Sequence, residues 1–265
     1  MGKWQEMTKK ELETQYSPSR WSPRLNENAV IEAHEQVTSE GTHYAQAATQ
    51  TLLNVPYGMG EGEKLDVYLP KVHSESFPLV LYIHGGYWQA LSGVYLLGHS
   101  AGAHLAAMVL STDWAEFGVV PNIKGAFLVS GIYDLEPITH TYVNEELHMS
   151  REVAQENSPL QCVPKLGDKR ACQVLIAVAQ HDSPEFHRQS QEYFEALRAA
   201  GWNSSLLDIG VTDHFDVIEN LSQEDYLLTQ VIVKRTQLLS CRLPTTQTAH
   251  ICFCDKLLPS EHTGI

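Results

Sequence analysis

Ser100 stands between two glycines in Gly98-His99-Ser100-Ala101-Gly102, a G-x-S-x-G spacing that lifts a serine hydroxyl out of a sheet on a tight strand-to-helix turn. A hydroxyl is a weak nucleophile until a base takes its proton, and the base needs a carboxylate to orient it. In sheets that carry this turn, the partners follow the serine in the order acid, then histidine. Two later stretches can supply them. Gln180-His181-Asp182-Ser183 follows an apolar run at Val174–Ala179, and Gly210-Val211-Thr212-Asp213-His214-Phe215 follows a run at Ser204–Ile209. Asp182 and His214 therefore fall beyond the carboxyl ends of predicted strands, where ligand-facing groups gather. Asp134, after the run Gly125–Ser130, is a rival acid. Asp182 is preferred because its strand is the next to last before the histidine. His99 and His104 flank the serine in sequence, but the turn is expected to aim them elsewhere, as structural residues. His181 and His187 read as surface or packing residues.

Attack on a carbonyl builds negative charge that backbone N–H groups must meet. His84-Gly85-Gly86-Tyr87-Trp88 follows the run Leu79–Ile83, and its two glycines would let the backbone approach a substrate closely. The expected donors are the N–H of Gly85 or Gly86 and that of Ala101. Tyr87 and Trp88 are candidates for an aromatic pocket wall, with the core an equal alternative for Trp88.

These residues require a sheet to hold them. Strand-like runs occur at Thr51–Val55, Leu65–Leu69, Leu79–Ile83, Gly93–Leu97, Gly125–Ser130, Val174–Ala179 and Ser204–Ile209. The glycines at 58, 60 and 62 supply the first turn. Helical patterns cover Ala103–Leu110, the stretch from Ser183-Pro184-Glu185 to about Gly201, and roughly Phe215 to Val233; Ser183 is a natural cap with Pro184 at the first helical position. Strands alternating with helices after a leading strand pair predict an α/β fold with a mainly parallel sheet covered by helices on both faces. Residues 1–48, broken by Pro18 and Pro23, read as short helical pieces covering a single domain that ends near 238. Residues 239–265 show no period and read as a disordered tail. His250, Cys252 and Cys254 in that tail match no complete metal site.

The 265 residues carry a formal net charge of −14, which disfavours nucleic acid or an anionic membrane as partner. No run approaches the ~20 apolar residues of a spanning helix. The start of the chain lacks a signal-peptide core. Five cysteines without framework spacing suit a reducing compartment, which predicts a cytoplasmic, or also nuclear, protein.

Read together, the motifs resemble kynurenine formamidase (arylformamidase), a family of α/β-hydrolases. The resemblance rests on His84-Gly85-Gly86-Tyr87-Trp88, Gly98 through His104, Val129 through Pro137, Asp182 through Arg188, and Asp213-His214-Phe215. It extends from the N-terminus to about Lys234. It implies N-formyl-L-kynurenine as substrate, kynurenine and formate as products, Ser100, Asp182 and His214 as the triad, and neither metal nor cofactor. A homodimer is compatible with it. A general aryl or carboxylesterase and a catalytically silent relative are the alternative readings.

The chain departs from the family pattern at one internal point. Only Gln89 to Leu97 separate Trp88 from Gly98, where the fold places helix, strand and helix. A block on the order of fifty residues, one strand and two helices, is expected to be missing. Returning to the start of a parallel strand spans about 17–20 Å, and nine extended residues reach about 30 Å, so a link is feasible but a helix is not. Uncovering roughly 400 Å² of apolar surface would forfeit on the order of 10 kcal/mol, comparable with the ~5–15 kcal/mol stability of a whole domain. Aggregation is the expected consequence.

Overall fold

The computed structural model describes residues 3–57, 64–69, 79–83, 94–118, 121–163 and 172–240. Helices α1 (Lys9–Gln15) and α2 (Glu27–Ala48) come first, with 3₁₀ turns at Lys3–Glu6 and Pro18–Arg20. Thr8 opens α1 with a capping box: its hydroxyl accepts from the Glu11 N–H while the Glu11 carboxylate accepts from the Thr8 N–H. Asn26 caps α2 by accepting from the Ala29 N–H at 3.0 Å. At 22 residues, α2 is longer than the short pieces expected of this region. The next proline after Pro23 is Pro56, so nothing in between removes a helical donor.

Strands β1 (Gln50–Pro56) and β2 (Lys64–Leu69) pair antiparallel as a sheet of their own. The main sheet is parallel and holds β3 (Leu79–Ile83), β4 (Val94–His99), β5 (Ile123–Val129), β6 (Gln173–Ala179) and β7 (Asn203–Ile209) in chain order. Helix α3 (Ala101–Ser111) follows β4, short helices α4 (Val143–Leu147), α5 (Arg151–Glu156) and α6 (Pro159–Cys162) lie between β5 and β6, and α7 (Pro184–Ala199) joins β6 to β7. Helices α8 (Asp216–Glu219) and α9 (Leu227–Ser240) complete the described chain.

Each step across the main sheet runs in the same direction, so right-handed crossovers send their helices to one face. Side-chain alternation along the strands supplies the two surfaces. Leu96, Leu128 and Ile176 pack with Ala106, Leu110, Tyr193 and Leu197 of α3 and α7. Their sequence neighbours Leu97, Val129 and Leu175 point the other way and pack with Val217, Ile218, Leu228 and Ile232 of α8 and α9. The second face is thus closed by the helices after the last strand.

That closure differs from the single helix expected over Phe215 to Val233. The chain forms α8, a 3₁₀ turn at Asn220–Ser222, and then α9. The polar stretch Ser222-Gln223-Glu224-Asp225 has no apolar side chain to bury, so the backbone turns there and each helix docks its own apolar residues. Helix α9 also continues to Ser240, past the expected tail boundary at 239; residues 241–265 lie outside the described chain.

At the shortened link, β3 and β4 lie side by side, from Leu79 opposite Val94 to Ile83 opposite Gly98. Ten residues separate them, fewer than the dozen or more of a helical crossover. The apolar surface expected to be bared at this junction is covered on β4, where Val94 to Leu97 are all buried. On the β1–β2 pair, Leu52, Leu53 and Leu69 are exposed. The loop His84 to Trp88, with the candidate donors Gly85 and Gly86, lies outside the described residues.

Candidate active site

The strand register brings the carboxyl ends of β4, β5, β6 and β7 to one rim, and each end carries a polar residue. Ser100 caps α3 directly after β4 with φ 55° and ψ −122°, a conformation that costs a non-glycine residue about 1–3 kcal/mol. Its side chain makes no capping hydrogen bond. Its N–H donates to the Val129 carbonyl at 2.9 Å, which ties the turn to the neighbouring strand. The turn needs glycine at 98, because a Cβ there would sit 2.2 Å from the Gly102 carbonyl oxygen. Ala101 is the first residue of α3, so its N–H belongs to the turn whose donors have no intrahelical partner.

Asp182 and His214 meet although they are 32 positions apart: His214 Nδ1 donates to Asp182 Oδ1 at 2.6 Å, and both residues are buried. The other carboxylate oxygen of Asp182 accepts from Ser130 Oγ at 2.5 Å and from the Ala179 N–H at 3.0 Å. Burial alone would lift the Asp182 pKa, but the His214 ring and these donors outweigh it and hold the carboxyl below its ordinary value. Asp182 is therefore ionised, and Nδ1 of His214 is committed to it, which leaves Nε2 free for a proton from elsewhere. The rival Asp134 is occupied locally: its Oδ1 accepts from the Glu136 N–H, and its backbone is held by Gln189.

His214 and Ser100 line one open cleft of about 440 Å³ together with Arg20, Glu27, Tyr142 and Phe215. The Phe186 and His214 rings meet edge to face, with centroids 5.1 Å apart. Where the sequence suggested that His99 points away, it packs against the histidine. Its ring centroid is 4.6 Å from that of His214, and its Nε2 donates to the His214 backbone carbonyl at 2.8 Å. Burial, reinforced by the neighbouring His214, pushes the His99 imidazole well below its usual value. His99 is thus neutral and acts as a fixed donor beneath the His214 loop. His104 turns away, to the Asn157 carbonyl.

The His214 loop is also strapped from the N-terminal segment. Arg24 reaches Asp213 through Nε at 2.8 Å and Nη2 at 3.2 Å, and Glu219 through Nη1 at 3.2 Å. Ser22 Oγ donates to the same Asp213 carboxylate, and His34 pairs with Glu219 at 2.8 Å. Within the loop, Asp213 accepts from the N–H groups of Phe215 and Asp216, and Asp216 accepts from the Asp213 N–H.

No family model matches the chain. It is 49% identical to the kynurenine formamidase of Danio rerio, over 88% of this chain and 98% of that protein. With the kynurenine formamidase of Salmo salar it shares 47% identity over the same fractions. The chain belongs to the kynurenine formamidase family. The Danio rerio alignment runs over 288 positions but takes in only 88% of a 265-residue chain. Roughly fifty positions of that formamidase thus face no residue here.

Solved structures place the fold. A candidate thioesterase from Silicibacter sp. superposes with a TM-score of 0.66 at 22% identity, covering 84% of this chain and 98% of that one. Esterase B from Lactobacillus rhamnosus (HN001) superposes with a TM-score of 0.56 at 15% identity, covering 80% and 96%. This formamidase-family member thus has the α/β-hydrolase fold.

Ser130, His99, Ser22 and Arg24 were not singled out as site residues from sequence. Ser130 had a visible signal, a polar residue at the end of an apolar strand run followed by glycine. Ser22 and Arg24 had none, since Asp213 lies 191 and 189 positions away.

Proposed function

We propose that this chain hydrolyses the formamide of N-formyl-L-kynurenine to L-kynurenine and formate, with Ser100 as nucleophile, His214 as general base and acid, and Asp182 as the carboxylate that orients the imidazole. The observation that carries this reading is the 2.6 Å Asp182–His214 hydrogen bond on the rim of the cleft that holds Ser100, in a chain so similar to named kynurenine formamidases.

The steps follow from the hydrogen bonds. Nδ1 of His214 is held by Asp182, so Nε2 takes the Ser100 proton as Oγ attacks the formyl carbon. The carbonyl oxygen becomes an oxyanion, toward which the Ala101 N–H at the start of α3 is a donor, joined by Gly85 or Gly86 in the family's arrangement. The imidazolium, stabilised by ionised Asp182, protonates the leaving arylamine as the C–N bond breaks. Water, deprotonated by His214, then attacks the formyl-serine; formate departs and Ser100 regains its proton.

The test is an optical assay of N-formyl-L-kynurenine with residues 1–265, using Ser100→Ala as control. Turnover that vanishes in the variant, with loss of labelling by a fluorophosphonate probe, supports the proposal. Soluble monomer with neither turnover nor labelling overturns it in favour of a catalytically silent family member. Labelling and aryl-ester hydrolysis without formamide cleavage would make the chain an esterase.

A further inference from the structure

The cleft carries a pair of opposite charges that the reaction steps above do not use. Arg20 ends the 3₁₀ turn at Pro18–Arg20, and Glu27 opens α2. Their side chains meet at 3.2 Å, both are well exposed, and both line the cleft that contains Ser100 and His214. Tyr142 and Phe215 contribute apolar surface to the same cleft. Aromatic surface, a reactive serine and a paired cation and anion in one cleft match the chemistry of an aryl α-amino acid: a ring, a carboxylate and an ammonium.

Building on the formamidase reading, we propose that Arg20 and Glu27 form a headgroup subsite for a zwitterionic α-amino acid. Arg20 takes the ligand's carboxylate and Glu27 its ammonium. The guanidinium fork matches a carboxylate with two parallel hydrogen bonds. In the free enzyme the two side chains satisfy each other, and an exposed pair of this kind is weakly held, so a zwitterion can exchange partners with it without leaving either charge unpaired. Both side chains are well exposed, so replacing them leaves the buried core untouched. The cleft volume of about 440 Å³ falls in the range of about 300–1,000 Å³ usual for small-molecule sites. The subsite belongs to the N-terminal cover, so the segment that straps the His214 loop also reads the substrate's far end.

Binding tests this independently of turnover. Ser100→Ala protein is titrated calorimetrically with N-formyl-L-kynurenine, with its α-carboxamide, and with the analogue lacking the α-amino group. We expect each altered ligand to bind about tenfold to a hundredfold more weakly, the span of a charge-assisted hydrogen bond. Adding Arg20→Gln should weaken the parent ligand by a similar factor and erase its advantage over the carboxamide; adding Glu27→Gln should do the same toward the des-amino analogue. Thermal unfolding of each variant checks that the fold is kept. Equal affinity for all three ligands, absence of binding, or an unchanged ligand ranking in the Arg20 and Glu27 variants would overturn the subsite. Formamide turnover by the wild-type chain is measured separately, so failure of the catalytic reading and failure of the subsite give different results.

Discussion

At the residue scale, the site is a set of small groups whose protonation is fixed by what touches them. His99 is the clearest case. Its half-buried imidazole packs against His214 and donates to a backbone carbonyl, and its pKa lies well below the ordinary histidine value of 6.5. An unfolded chain takes up a proton on this residue as the pH falls through 6.5, and the folded chain does not. Stability contributed by neutral His99 is therefore present above pH 6.5 and lost as the pH falls toward the folded value, by up to about 1.4 kcal/mol per pH unit. His99→Gln keeps an N–H donor and removes the titration, so its urea midpoint should vary less than that of wild type between pH 7 and 5. Parallel curves for the two proteins would show that His99 does not couple folding to pH. Motif spacing gave Ser100, Asp182 and His214 because each follows an apolar run at a strand end. It could not give His99 its place, since β-strand alternation sets which way residue 99 points but not which loop, 115 positions later, comes to lie there.

At the element scale, the loop that carries His214 is held from three sides: by Asp182 after β6, by His99 at the end of β4, and by the N-terminal strap. The strap is a cation set among Asp213, Asp216 and Glu219. Arg24 hydrogen bonding, with Ser22 and the backbone N–H groups, overcomes the upward pull of burial and holds Asp213 below its ordinary value, while burial and the Asp213 charge raise Asp216. Removing the cation leaves the fully buried Asp213 side chain without its counter-charge. For a buried pair the loss is about 3–5 kcal/mol; Arg24 is one-third exposed, so Arg24→Leu should cost about 2–3 kcal/mol after solvent screening. Because the strap sets the imidazole's position, kcat should fall about tenfold or more with little change in KM, and Arg24→Lys should recover part of it. A loss confined to stability, with kcat intact, would reduce the strap to a structural tie. The strands and the helices α3 and α7 were legible because burial on alternating faces and capping leave local marks. The break between α8 and α9 was not, because Val217, Ile218, Leu221, Leu228 and Ile232 serve one sheet face whether the helix is continuous or turned.

At the scale of the whole molecule, the described part of the main sheet and the β1–β2 pair differ in how well they are covered. Among the described residues, β4 to β7 of the main sheet are covered on both faces. The β1–β2 pair is a two-stranded sheet, a unit only marginally stable by itself, and among the described residues it is not hydrogen-bonded to the main sheet. Leu52 and Leu53 are 48% and 45% exposed there, and Leu69 of the partner strand is 39% exposed. Sequence alone gave the two strands and the turn between them, but not their antiparallel pairing as a separate sheet, because alternation reports that a strand has a buried face and not which surface buries it. Exposed leucines on a strand are a template for association, so self-association of this chain should start from this pair and not from the active-site rim. Replacing Leu52 and Leu53 by threonine keeps β-propensity while removing apolar surface. The variant should show less light scattering on concentration or heating. Its fluorophosphonate labelling at Ser100 should be unchanged, and its stability should stay within about 0.5 kcal/mol of wild type, as for substitutions of exposed residues. Unchanged scattering would move the sticky surface elsewhere. A clear loss of stability would mean that the two leucines are packed against something after all.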